Sequence, residues 1–396
     1  MVDDLLAINQ CGPKSMKMNT IINSKIELKK LEFHLPEASK VGKCNFMHIG
    51  KPSESCPGMK VHGQSAIEVK EAMYLGDIIR SDGKNISNVK SRVQKGIGIA
   101  AEIISLLKSI SFGKRHFEIA VILREARLIN CILTNAEVWY SLGNTEIANH
   151  EKVDTMFLRK VLSVPPSVSK ESLYLELGLI PISVIIKSRR VMYLHYLANL
   201  QKDEMLYKVF IAQWQYPGKD DWTEIVRADL LDLGLTLKLD YLRGISKNSF
   251  KRSVKVKSRQ FALDYLLKVK EKHTKMKDLN YSELKMQNYL KDPKISVEEA
   301  QNIFRFRTRS ANFKENMKAK YAEILCPLCE NQPDSQSHSF ECSIVKEKIK
   351  ISGNYEDIFN EIIPYDVSKS LMEIRKLREN VMLSQVDPRA SFDAAE

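Results

Sequence analysis

Four residues toward the C-terminal end have the types and spacing to hold a metal ion. The stretch CPLCENQPDSQSHSFEC places Cys326 and Cys329 two residues apart, the spacing of a turn that aims two thiolates at one ion. His338 and Cys342 complete a Cys-x2-Cys-x8-His-x3-Cys series. Three thiolates and an imidazole suit tetrahedral Zn²⁺, and His338 and Cys342 at i and i+4 can share one helical face. With four ligands and no open position, such a site is structural rather than catalytic. Pro333 and the polar residues around it leave little apolar material to fold this loop without the ion.

A second candidate opens the chain, where MVDDLLAI sets Asp3 and Asp4 inside an otherwise apolar run that reads as a short strand. Adjacent carboxylates repel unless a cation neutralises them. Mg²⁺ would do so, completing its shell with water or phosphate. The bland alternative is an incidental acidic pair. Asp220 and Asp221 in GKDDWTE, close to Gly218, read as a solvated loop.

A third feature is charge. Between Lys247 and Lys320 the chain carries 20 Lys or Arg against 8 Asp or Glu, an excess equal to the whole molecule's +12. A concentrated basic segment is the electrostatic footprint of a phosphate-backbone contact, although a solvated helical face looks the same in sequence. Within it, Arg305, Arg307 and Arg309 alternate with Phe304 and Phe306. Guanidinium forks suit phosphates and an aromatic face can stack an unpaired base; equally, those phenylalanines can be core.

These candidates must be positioned by the surrounding elements. The first eighty or so residues read as strand, helix, strand, strand: CNFMHIG, MKVHG and AMYLGDIIRSDG are short β segments bounded by turn residues. From Asn85 the periodicity becomes helical, with Ile86, Val89, Val93, Ile97, Ala100, Ala101, Ile104 and Leu107 on one stripe. Further helices are expected over HFEIAVILREARLINCILTNAEVWY, NHEKVDTMFLRKVLSV and KESLYLELGLIPISVIIKSRRVMYLHYLANL, interrupted at Pro165, Pro166 and Pro181. The expected fold is mainly α with a small N-terminal α/β piece.

With 396 residues the chain can hold two or three domains, and 44% apolar and 28% charged residues is the composition of an ordinary soluble protein rich in charge. The acidic start lacks a basic n-region, and no apolar run reaches the roughly 18 residues that span a bilayer. Seven cysteines, four of them isolated at Cys11, Cys44, Cys56 and Cys131, fit a reducing compartment better than a disulfide framework. An intracellular protein, nuclear or cytoplasmic, is expected.

The order of these features resembles the C-terminal part of a reverse transcriptase from a non-LTR (LINE-type) retrotransposon. MVDDLLAI resembles the x-x-Asp-Asp box of the palm, GKCNFMHIG the palm motif that follows, and AMYLGDIIRSDG the primer-grip hairpin. The stripe from Asn85 falls where the thumb begins, and the Cys-Cys-His-Cys group matches a knuckle found beyond it in many such elements. The resemblance implies a palm end over 1–84, a helical thumb-like region over 85–200 and a helical basic linker over 201–320. A zinc knuckle over 321–345 and a helical or disordered tail over 346–396 complete it. It implies that Asp3 and Asp4 bind catalytic Mg²⁺ and that Lys43 approaches pyrophosphate. Tyr74, Leu75 and Gly76 would then position a primer end, and Lys90, Arg92 and Lys95 would line a groove for an RNA template and DNA primer.

The first palm carboxylate has no room upstream of Asp3, and the fingers are missing, so the expectation is an RNA-directed DNA polymerase fragment inactive alone. The competing expectations are a non-enzymatic nucleic-acid-binding zinc protein and a helical scaffold stapled by the ion.

Overall fold

A computed structural model describes residues 45–49, 60–61, 64–74, 76–110, 113–139, 142–218, 221–320 and 323–385. It is 62% helical with few strands, so the fold is mainly α. Asp3, Asp4, Lys43 and Leu75 lie outside the described residues, as does the strand expected at the start of the chain. No helix among the described residues is long and apolar enough to cross a membrane.

The chain divides into two compact units. The described residues up to Gln94, with those between 139 and 146, form one; those of 95–138 and from Ile147 onward form the other.

In the first unit the strands are β1 (Asn45–Phe46), β2 (Lys60–Val61), β3 (Gln64–Ser65), β4 (Ile67–Glu68), β5 (Glu71–Tyr74) and β6 (Asp77–Arg80). They pair as three two-stranded sheets: β1 with β4 in parallel, β2 with β3 and β5 with β6 antiparallel. The β5–β6 hairpin matches the hairpin read from AMYLGDIIRSDG, with Tyr74 opposite Asp77. Gly76 turns it with φ +84, and a Cβ there would meet nothing within 4 Å. The turn's left-handed conformation therefore asks for glycine, and no close backbone approach does. Helix α1 (Ile86–Ser109) follows. Its first turns are sewn to the hairpin: Arg92 Nη2 donates to Asp77 Oδ1 at 2.8 Å and to the Gly76 carbonyl at 3.1 Å. Arg80 binds Asp82, Ser87 and Glu71.

The second unit is a stack of helices. α2 (His116–Leu123) runs through a π-helical stretch, Arg124–Ile129, into α3 (Asn130–Ile132). Then come α4 (Asn144–Leu162), α5 (Lys170–Leu177), α6 (Ile182–Ala198), α7 (Met205–Gln215), α8 (Trp222–Asp232), α9 (Leu239–Gly244) and α10 (Lys247–Lys270). α11 (Val297–Arg307), the short α12 (His338–Glu341) and α13 (Ser343–Lys348), and α14 (Tyr365–Gln385) complete it.

The caps are legible chemistry. Ser169, Ser246 and Ser296 accept N–H groups from the first turns of α5, α10 and α11, and Ser296 with Glu299 forms a capping box. Asp221, expected in a solvated loop, instead caps α8 by accepting the Glu224 N–H at 2.9 Å.

Burial follows the helical period. On α10, Phe250, Val254, Ala262 and Leu266 are buried. That face lies on α6, where Ser258 Oγ meets Ser188 Oγ at 2.7 Å and Phe250 stacks on His195.

A buried polar cluster lies within the apolar core of this unit. Arg307 Nε reaches Glu176 Oε1 at 2.9 Å, with both side chains at most 1% exposed. The Tyr281 and Tyr289 hydroxyls donate to the same carboxylate at 2.6 and 2.9 Å, and Arg307 Nη1 donates to the Ile358 carbonyl at 2.6 Å. Gly178 ends α5 with φ +65, and a Cβ there would lie 2.2 Å from the Lys285 backbone. Both conformation and space reserve that position for glycine, which lets the 281–290 segment reach Glu176.

Removing one partner of a buried ion pair strands the other. Arg307→Ala should therefore lower unfolding stability by about 3–5 kcal/mol, measured by denaturant titration. Arg305→Ala, two residues away and partly exposed, should cost under about 1.5 kcal/mol.

Candidate metal centre and basic surface

The metal-site loop is built by backbone bonds that the sequence spacing permits. Leu325 and Pro333 form an antiparallel bridge that closes it. Inside, Cys326 N donates to Gln332 O at 2.8 Å and Glu330 N to Cys326 O at 2.9 Å. Glu330 takes φ +56, the left-handed turn that folds the chain back after the second cysteine. Downstream, Ser335 Oγ accepts the His338 N–H at 3.0 Å, starting α12. Cys342 N then donates to His338 O at 2.8 Å, which puts the last two ligands on one face.

The result is that one ligand atom each from Cys326, Cys329, His338 and Cys342 lies within 4.8 Å of every other. Cys329 Sγ and His338 Nε2 stand 3.2 Å apart. A tetrahedral ion with thiolates at about 2.3 Å and imidazole at about 2.0–2.1 Å needs ligand–ligand edges of roughly 3.4–3.8 Å. The four ligand atoms stand within about an ångström of those edges, so the four residues could hold one metal ion.

The thiols differ in readiness to ionise. Burial pushes the Cys326 thiol up to about 11, against N–H groups of Cys329 and Leu328. For Cys329 burial also raises the pKa, but the Asn331 N–H, the His338 imidazole and the Gln332 N–H outweigh it and bring the thiol down to about 6. At neutral pH metal uptake must displace a proton from Cys326.

The loop is held by residues that sequence reading did not single out. Asp334, fully buried, accepts from Arg378 of α14 at 2.6 and 2.9 Å and from the Lys314 N–H at 2.8 Å. The Arg378 guanidinium also sits 4.1 Å over the Phe313 ring. Gln336 Nε2 donates to the Phe306 carbonyl at 2.9 Å. The only sequence signal at Asp334 was a Pro-Asp dipeptide, which reads as a turn.

Of the residues expected to touch nucleic acid, Lys90 and Lys95 are exposed on α1, Gly76 is exposed and Tyr74 half-buried. Arg92 is buried and committed to Asp77, so it fastens the hairpin rather than facing a groove. Arg307 is a correction of the same kind: its guanidinium is enclosed by Glu176 and cannot reach a phosphate. Phe304 and Phe306 are core, at 0% and 1% exposure, so neither offers a stacking face. Arg305 donates Nε and Nη2 to the Ser163 carbonyl, and Arg309 pairs with Asp278 at 2.6 Å; both are half-buried.

The basic surface lies instead on α10. Lys247, Lys251, Arg252, Lys255, Lys257 and Lys268 are exposed there, and none takes part in an ion pair among the described residues. The helix holds a single carboxylate, Asp264, which accepts from Gln260 at 2.9 Å. Lys247, Lys251 and Lys255 recur every four residues, about 6 Å apart along one face.

No protein-family profile, curated protein or solved structure matches this chain.

Purified under reducing conditions, the protein should contain one tightly held metal ion per chain by elemental analysis. Cys326→Ser should lose it and lower the thermal midpoint, whereas Cys131→Ser, outside the cluster, should change neither.

Proposed function

We propose that this chain is the nucleic-acid-holding, C-terminal part of a reverse transcriptase of the non-LTR retrotransposon type. Its α10 surface grips an RNA–DNA template–primer, and a structural Zn²⁺ braces the end of the helical stack. The observation that carries this reading is the exposed face of α10, where cations stand without counter-charges. A row of unpaired lysines at helical spacing repels itself, and a phosphate backbone relieves that repulsion with release of counterions. The β5–β6 hairpin followed by α1 supports the same reading, because it has the order expected of a primer grip leading into a thumb. The donor set favours zinc: three thiolates with one imidazole and no vacant position suit a d¹⁰ ion without geometric preference. Asp3 and Asp4 lie outside the described residues and carry no weight here.

Contact of this kind follows shape and charge rather than base sequence. Affinity for an RNA–DNA hybrid, measured by fluorescence anisotropy, should therefore fall linearly in log Kd against log salt. The double change Lys251→Ala with Lys255→Ala should reduce that slope by about 2 and leave the thermal midpoint unchanged. An unaltered slope, or no binding at physiological salt, would sink the proposal.

A further inference from the structure

In the second unit a cleft of about 570 Å³ opens between the segment leading into α5 and the turn that follows α10. Its size is that of a small-molecule site, roughly 300–1,000 Å³. Its wall is cationic. Lys170, Lys272, Lys275 and His273 line it against one carboxylate, Glu171. That carboxylate is turned to His273 Nε2 at 3.8 Å. Lys170 is tied to Glu151 and Lys275 donates to the Asn316 carbonyl, while Lys272 has no ion pair among the described residues. Ser167, Thr274 and Ser310 are among the other lining residues.

A second observation lies behind the wall. Arg159 Nη2 donates to the carbonyl of Val168, a lining residue, at 2.9 Å. Its Nε is buried with no hydrogen-bond partner, and no ion pair joins it. Burial accordingly lowers its pKa, with Tyr174 and Glu171 acting only at a distance to raise it. A half-buried guanidinium without a carboxylate, the exposed Lys272 and Lys275 and the N-terminal end of α5 all lower the energy of an anion placed there.

We infer that this cleft receives a phosphoryl group. The inference rests on the nucleic-acid reading for the larger ligand, because the lining residues Lys272 and Lys275 lie just beyond the end of the basic helix α10. A terminal phosphate of a bound strand and free inorganic phosphate share the chemistry; the test separates them.

Full-length protein is titrated by calorimetry with inorganic phosphate, and with one oligonucleotide carrying a phosphate at its 5′ end, at its 3′ end, or at neither. One phosphorylated form should bind roughly fivefold tighter than the unphosphorylated strand. Lys272→Ala with Lys275→Ala should abolish that preference. The charge-matched pair Lys268→Ala with Lys277→Ala, outside the cleft, should weaken all three strands alike and keep the preference.

Saturable phosphate binding that the cleft pair loses and the control pair keeps, with no strand binding at all, would leave the cleft a free-phosphate site. That outcome would remove the nucleic-acid reading alone. No end preference together with no saturable phosphate binding in the millimolar range would overturn the inference. Equal losses in the two variant pairs would overturn it too.

Discussion

The helical unit is organised around one buried carboxylate. Glu176 is reached by Arg307 and by the hydroxyls of Tyr281 and Tyr289, and Arg307 in turn holds the Ile358 carbonyl. Four separate stretches of chain thus meet at one pair of charges. Burial opposes the Arg307 charge, and Glu176 together with Tyr289 and Tyr281 outweighs it, so the Arg307 pKa is raised. For the two tyrosines burial comes first and the same carboxylate adds to it, so both phenols stay protonated and act as donors. An apolar core of equal volume could be as stable. What the charges add is register, since the segments satisfy this cluster in one arrangement.

The device recurs. Arg124 makes a two-pronged pair with Asp154 at 2.6 Å, with the Tyr174 hydroxyl on the same carboxylate. Arg190 pairs with Asp229, which Lys187 also reaches. Arg378 pairs with Asp334. These buried pairs are built on arginine, although Arg252 is exposed on α10 and Lys187 reaches the buried Asp229. The planar fork of arginine satisfies a carboxylate in two bonds, which suits it to these buried sites, whereas the strongly hydrated lysines of α10 stay in solvent. The Asp334 pair has a further consequence, because it lies inside the metal loop. An ion held by the four residues would order the same loop that docks on α14, so its binding would also support that contact.

Spare positive charge accordingly concentrates where lysines sit without partners, on α10 and in the turn beyond it. An even scatter of cations would have been screened within about a Debye length, some 8–10 Å. Lysines at four-residue intervals reinforce one another over several turns, and the apolar stripe of Phe250, Val254, Ala262 and Leu266 fixes which face they occupy.

Features whose partners are near in sequence were legible from it. The Cys-x2-Cys turn, the His–Cys pair one helical turn apart, the β5–β6 hairpin and the helix from Asn85 each close over a few residues, so residue type and spacing suffice. The excess charge beyond Lys247 was legible too, being a property of composition. Which arginines carry that charge to the surface was not. Arg305, Arg307 and Arg309 read alike in RFRTR, yet Arg307 faces a glutamate 131 residues away. Asp334 likewise meets an arginine 44 residues on. The sequence alone thus determined the local geometry of the metal ligands and the helical period. Only the tertiary structure decided which charges are spent inside, because a buried ion pair depends on long-range approach that no local spacing encodes.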